Sequence, residues 1–195
     1  MKKVCFLAIF FLTAKASFSQ SFMHGAGFMS FIESVPGSNV TGSGGLTYSP
    51  RFNFLEMENS SVSVGIPFSI GISGSAEYNS NGDSYNNLKL ILDVPLMINY
   101  NIGCGSTKET ESRVGFFIGA GYAYHAGTYN ETINDGYGNS YSQSSSLKSN
   151  GPAGNAGVRI GVGRGTHNIE IRASYMKGID NSKANIFGVG ALFNF

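Results

Sequence analysis

The chain has 195 residues, with 13 basic and 12 acidic side chains and a net charge of +1. It has no basic patch or tail, which argues against nucleic acid as a partner. Charged residues are only 13 % and glycines number 27, a poor match to an ordinary soluble domain, which carries roughly a quarter charged residues.

Lys2-Lys3 precede an uncharged run from Val4 to Leu12. A basic start, a short apolar core and small residues beyond it predict a secretory signal peptide. Ala14-Lys15-Ala16 and Ser17-Phe18-Ser19 both fit the cleavage rule. The second is preferred, giving a leader over 1–19 and one domain over 20–195. No lipobox surrounds Cys5, so no lipid anchor is expected. Loss of Lys2, Lys3 and Lys15 leaves ten basic and twelve acidic residues, a net charge of −2. Cys104 is then the only cysteine and no internal disulfide can form.

The rest of the chain alternates. The first strand, roughly Phe22 to Glu33, is ambiguous in phase, with Ala26, Phe28 and Ile32 placed outward. Tyr48, Phe52 and Phe54 follow on one face, with Arg51 and Asn53 on the other. From Ser61 to Ser73, Val62, Val64, Ile66, Phe68, Ile70 and Ile72 alternate with Ser, Gly and Pro. Leu88 to Ile102 carries an apolar residue at every even position, with Lys89, Ile91, Asp93, Pro95, Met97, Asn99 and Asn101 between. Val114, Phe116, Ile118, Ala120, Tyr122 and Tyr124 then face Gly115, Gly119, Gly121, Ala123 and His125. Ala156, Val158, Ile160 and Val162 alternate with Gly157, Arg159, Gly161 and Gly163, and Ile169, Ile171, Ala173 and Tyr175 with Glu170, Arg172, Ser174 and Met176. Phe187, Val189, Ala191, Phe193 and Phe195 close the series.

Strict period-two patterning predicts strands, and there are eight. No apolar run beyond the leader approaches 18 residues, so a spanning helix is excluded. Lipid then permits only a closed barrel, since every backbone polar group must find a partner. The fold class is all-β, a closed eight-stranded antiparallel up-and-down transmembrane β-barrel. Short connections (56–60, 103–113, 164–167) alternate with longer polar ones (34–43, 79–87, 131–150). The short ones are expected on the periplasmic side and the long ones outside, 178–183 being a short exterior loop. Tyr48, Phe54, Tyr78, Tyr100, Tyr124, Tyr175 and Phe195 are expected to form aromatic girdles.

The stretch Leu92-Asp93-Val94-Pro95-Leu96-Met97-Ile98-Asn99-Tyr100 resembles the fourth strand of the outer-membrane β-barrel domain family, which includes PorT-like proteins and small OmpA-OmpX-like barrels. Gly188 to Phe195 resembles the C-terminal signal by which such barrels engage their insertion machinery, with Phe193 and Phe195 as its aromatic residues. The resemblance spans the chain beyond the leader. It implies an outer-membrane location, with membrane lipid and the insertion machinery as partners. It says little about activity, because such barrels include anchors, adhesins, small pores and a few enzymes.

The inward face is expected to carry Arg51, Lys89, Asp93, Arg159, Glu170 and Arg172. Ion pairs filling the lumen explain these charges better than a proton pathway does, because an eight-stranded interior is just wide enough for side chains. A tight turn near Arg164-Gly165 sets Ile160 against Ile169, Val158 against Ile171 and Arg159 against Glu170; slipping it by one residue opposes Arg159 to Arg172. His125 faces inward near the exterior rim, where lipid-modifying barrels place catalytic groups, but no enzyme motif surrounds it. His24, His125 and His167 lack metal-ligand spacing, and the Gly161-x-Gly163-x-Gly165 run leads into a strand rather than the helix of a nucleotide loop. Sequons at Asn39, Asn59 and Asn130 are read as chance. No cofactor, metal or catalytic residue is therefore expected. The 131–150 loop, with Tyr137 and Tyr141 among Gly, Asn and Ser, suits adaptable contact with an extracellular ligand. The leading reading is a non-enzymatic structural or surface-binding barrel. The alternatives are a narrow pore for small solutes and a lipid-modifying enzyme.

Overall fold

The computed structural model describes residues 21–37, 40–78, 84–134, 140–163 and 167–195, with side chains excepted at 74–78, 84–89, 128–134 and 140–145. The expected leader lies outside the described residues. Eleven strand segments follow one another: β1 Ser21–Met23, β2 Gly25–Ser34, β3 Thr41–Tyr48, β4 Arg51–Met57, β5 Ser60–Gly65, β6 Phe68–Tyr78, β7 Ser84–Gly103, β8 Val114–Asn134, β9 Ser140–Gly161, β10 Asn168–Lys177 and β11 Asn185–Asn194.

These merge into the eight expected strands. The β1–β4 pairing (Met23↔Arg51) keeps the register of β2–β3 (Ala26↔Tyr48), so His24 and Ser49-Pro50 only interrupt two continuous strands. β5 and β6 hold one register on β7 across Ile66-Pro67. Proline carries no N–H and breaks a ladder locally without ending the strand. β7 pairs with β8, and β11 pairs with β2 from Asn185↔Ser34 to Asn194↔Gly25, closing the sheet on itself. The merged strands thus form a closed barrel, as a lipid environment demands.

The alternation decides which face meets lipid. Phe28, Ile70, Leu90, Ile98, Ile118, Ile160, Val189 and their even- or odd-numbered companions are exposed, while the residues between them are buried. The phase of the first strand is the expected one, with Ala26, Phe28 and Ile32 outward. At the end bearing Ser21 and Phe195, the first and last described residues, Tyr48, His24, Phe195, Phe193 and His167 form a chain of ring contacts. Toward the opposite end, Tyr122 and Tyr175 donate to Asn150 and Asn185. Rings with one polar edge suit both interfaces. Of the other expected girdle residues, Tyr100 and Tyr124 are exposed, Phe54 is half-buried, and the Tyr78 side chain lies outside the described residues.

Two boundaries differ from the sequence reading. The expected loop 131–150 is mostly strand: β8 and β9 stay paired from Gly127↔Leu147 to Asn134↔Ser140. The expected loop 79–87 likewise loses 84–87 to β7. Apolar alternation stops at the lipid boundary, but a backbone ladder needs no apolar face in water, so the hairpins continue as polar ribbons. The β8–β9 ribbon outruns its neighbours, since β7 last pairs β8 at Leu92↔Ala126 and β9 last pairs β10 at Ala153↔Met176.

Candidate functional site: two charged layers in the lumen

Inward-facing side chains fill the barrel in three layers. At the termini end, β9 and β10 adopt the register that opposes Arg159 to Glu170. Arg159 Nε donates to Glu170 Oε2 at 2.7 Å, and Arg172 Nε donates to Oε1 at 2.8 Å. Arg51 reaches the same carboxylate from β4 across the lumen, Nη1 to Oε2 at 3.7 Å. All four residues are buried, Glu170 completely.

Three guanidinium groups around one carboxylate leave two surplus positive charges, which must be met by something else. Neutral dipoles and a ring meet them here. Arg51 Nη2 donates to Gly105 O at 2.8 Å, Arg159 Nη1 to Asn101 Oδ1 at 2.9 Å, and Arg172 Nη2 to Ser49 Oγ at 3.0 Å. The Phe117 ring lies 4.3 Å from the Arg159 guanidinium and 5.6 Å from that of Arg172, in cation–π range. Asn194 Nδ2 adds a donor to Glu170 at 3.2 Å.

Gly105 belongs to an element the sequence did not reveal. The 103–113 connection was expected to be a plain turn; its first part folds back into the barrel mouth as a lid. Gly103 and Gly105 have φ of 72° and 69°, a left-handed conformation that glycine adopts without strain. Asn53 Nδ2 and Ser61 Oγ both donate to Ser106 O, at 2.9 and 2.6 Å. Cys104, Ser106 and Thr107 are buried as a result. Burial pushes the Cys104 thiol up, against the pull of Arg159 and Arg51, so it stays a protonated, inert thiol.

The middle layer is apolar. Met29, Phe31, Met97, Ala123, Met176 and Ile186 pack there around a residual cavity of about 30 Å³, room for a water or two.

The far layer is the reverse of the first in sign. His125 on β8 is fully buried between Asp93 on β7 (Nδ1–Oδ1 3.1 Å) and Glu33 on β2 (Nε2–Oε1 3.3 Å). Ser43 Oγ donates to Glu33 at 2.8 Å, and Phe31 sets its ring edge against the imidazole. β2 and β8 lie on opposite walls, so the imidazole braces the barrel across its width. Both ring nitrogens face carboxylates, which leaves neither aimed at a hydroxyl as nucleophilic catalysis requires.

Of the expected lumen charges, Arg51, Arg159, Glu170 and Arg172 converge in one layer and Asp93 joins the other. The Lys89 side chain lies outside the described residues. Glu33 was missed, although the ambiguous phase of the first strand already put it on the inward parity. His24 and His167 sit at the terminal rim, well apart from His125.

No family model matches the chain, and no curated protein matches it. Solved structures do. Neisserial surface protein A aligns with a TM-score of 0.58 at 12 % identity, over 90 % of this chain and 97 % of that one. Ail, the attachment invasion locus protein of Yersinia pestis, aligns with a TM-score of 0.53 at 12 % identity, over 92 % and 100 %. The chain has the fold of these small outer-membrane β-barrels. At such identities the likeness carries the fold alone, while the belt of exposed apolar side chains independently requires lipid around this barrel. The barrel therefore combines a lipid-facing wall with a lumen that holds two charge layers, and a lid at one mouth.

Proposed function

We propose that this barrel is a non-enzymatic surface-binding protein that presents its β6–β7 and β8–β9 ribbons outside the cell. The β8–β9 ribbon carries the reading. Gly127–Asn134 and Ser140–Leu147 pair with each other and, among the described residues, with no other strand. Both outer edges therefore present free backbone donors and acceptors, the arrangement to which an extended polypeptide adds as another strand. Residues 140–147 contain no charge and no proline, the usual means of blocking such an edge. The two neighbours bear the names of surface and attachment proteins, and Ail was also solved with the heparin analogue sucrose octasulfate. The uncharged β9 edge fits a backbone partner better than a polyanion.

A photo-crosslinking amino acid at Tyr141, in intact cells, tests this against the same reporter at Lys108. Protein adducts are expected from Tyr141 alone, and steady conductance is not expected from the purified barrel in planar bilayers. Adducts from both positions equally, or stable channels, would remove the proposal. Phe193, outward on the closing strand β11, and Phe195, directly after that strand, serve as the assembly signal; deleting Phe195 should abolish the heat-dependent gel shift of the folded barrel.

A further inference from the structure

The arginine layer lies one segment of chain away from water. Beyond the buried Thr107, the connection runs outside the mouth, with Lys108, Glu109, Glu111 and Arg113 exposed. Between it and the end of β9 lies a cavity of about 400 Å³ that reaches in to Cys104 and Gly105. The charges around this cavity cancel, Lys108 and Arg113 against Glu109 and Glu111. On the lumen side of Gly105 they do not. Arg51, Arg159 and Arg172 face Glu170 alone, and arginine stays protonated in proteins.

The Gly105 carbonyl sits where an anionic oxygen would. It accepts from Arg51 Nη2 at 2.8 Å and from Arg159 Nη1 at 3.5 Å, so one oxygen is shared by guanidinium groups from β4 and β9. A third donor borders the same spot, since a Cβ on Gly105 would lie 2.7 Å from Asn168 Nδ2. A carbonyl brings these cations a dipole but no charge. Arg51 Nε is in addition buried without a hydrogen-bond partner among the described residues. Excess charge and an open donor thus coincide behind the lid.

The lid can leave without stranding the groups that hold it. Ser106 O accepts from Asn53 and Ser61. When it withdraws, Asn53 Nδ2 keeps Ser21 Oγ at 3.1 Å and Glu56 Oε1 at 3.0 Å, and Ser61 Oγ keeps Asn101 Nδ2 at 3.2 Å. Arg51 Nη2 is different, because it is left with Met23 Sδ, a weak acceptor. Gly103 and Gly105 accept large changes of φ without steric strain, and the cavity beyond gives the segment room to move.

We propose that the arginine layer is a binding site for a water-borne oxyanion of two negative charges, such as inorganic phosphate, which displaces the Gly105 carbonyl from Arg51 and Arg159 as the lid swings outward. Two charges match the excess, and the forked donors of a guanidinium fit paired oxyanion oxygens. The lid carbonyl holds the place of the anion while the site is closed.

The test is calorimetric titration of the full barrel in detergent micelles, above neutral pH where inorganic phosphate is mainly a dianion. Sodium chloride of equal ionic strength is the control. Saturable phosphate binding is expected, together with faster hydrogen exchange in the lid, 103–107. Arg51→Gln removes one of the two excess charges and should weaken binding by about tenfold or more. Ser61→Ala releases one hold on the closed lid and so populates the open state. The apparent affinity should rise by about three- to tenfold, a gain that a site on the outer surface of the lid would not show. The heat-dependent gel shift reports folding of both variants, and Ser61→Ala leaves the arginines intact. No saturable binding beyond the chloride control, or binding that leaves lid exchange unchanged, overturns the proposal. So does undiminished affinity in folded Arg51→Gln, or no gain in Ser61→Ala. A lid opened by phosphatidic acid in mixed micelles but not by free phosphate overturns it too, since the anion would then belong to a membrane lipid.

Discussion

The two charged layers of the lumen solve one problem in different ways. At the termini end three arginines share one glutamate, and the surplus charge is met by dipoles: the Gly105 carbonyl, the Asn101 amide, the Ser49 hydroxyl and the Phe117 face. At the far end two carboxylates share one imidazole, and that ring is the one basic group facing them among the described residues. The first layer is redundant, since each arginine keeps other partners if one is lost. The second hangs on a single group. Stability should therefore be lost differently from the two ends.

The heaviest loss is expected at Glu170. Glu170→Gln leaves three buried guanidinium groups without a carboxylate, and breaking a buried ionic cluster costs about 3–5 kcal/mol. Urea unfolding in lipid vesicles measures it. A double-mutant cycle with Arg159→Met should show coupling; strict additivity would mean that Arg159 leans on the lid and not on Glu170. His125→Leu comes next, at about 1–3 kcal/mol for stranding two buried acceptors. Replacing Glu33, Asp93 and His125 together by apolar residues should recover much of that loss, because an apolar substitute for a buried ionic group is often neutral. If the triple variant is worse than His125→Leu, the far layer is not a self-contained brace.

Much of this contrast could be read from the sequence. Period-two alternation is a strong local signal, and it placed the wall, the lipid face and the β9–β10 register, because opposing Arg159 to Arg172 would have been costly. Even so, Arg172 lies in the same cluster, diagonal to Arg159, and Glu170 bridges both. Contacts across the lumen were not legible. Parity says that Glu33, Asp93 and His125 face inward, but their depths depend on the stagger of strands from opposite walls, which no local pattern encodes. The lid was hidden for a related reason: Cys104-Gly105-Ser106 reads as a turn, and only the arginines behind it explain why it folds inward. The polar ribbons escaped because alternation reports burial, and outside the lipid there is none.

The lid offers a smaller perturbation confined to one layer. Gly105→Ala forces a side chain into a left-handed backbone, at about 1–2 kcal/mol, and its Cβ would lie 2.7 Å from Asn168 Nδ2 and 3.1 Å from Arg159 Cδ. Hydrogen exchange should quicken in the lid and at the neighbouring ends of β4 and β9, with β2 and β8 around His125 unchanged. Equal loss at both ends would show that the layers are coupled through the methionine-lined middle.

The smallest expected effect isolates a charge met by dipoles alone, without a counter-ion. Asp180 lies in the 178–184 turn at the far end, outside the lumen. It accepts from the backbone N–H of Asn150 at 2.7 Å and of Ser182 at 2.9 Å, and from Ser182 Oγ at 2.5 Å. Burial pushes its carboxyl up, but these donors outweigh that and hold it below the ordinary carboxylate range. A carboxyl depressed in the folded state stabilises the fold above its unfolded value, near 3.9, and that contribution is lost as pH falls through the lower folded value. Asp180→Asn should therefore cost under about 1 kcal/mol at neutral pH, since the site is open to solvent and its bonds are worth little net. The difference from the parent should vanish in acid, below the folded carboxyl's range. Unfolding midpoints of the pair, measured from neutral to strongly acidic pH, check this. A gap that persists unchanged into acid would show that Asp180 acts through shape alone, and that dipoles at this end do not hold charge as the lid carbonyl does at the other.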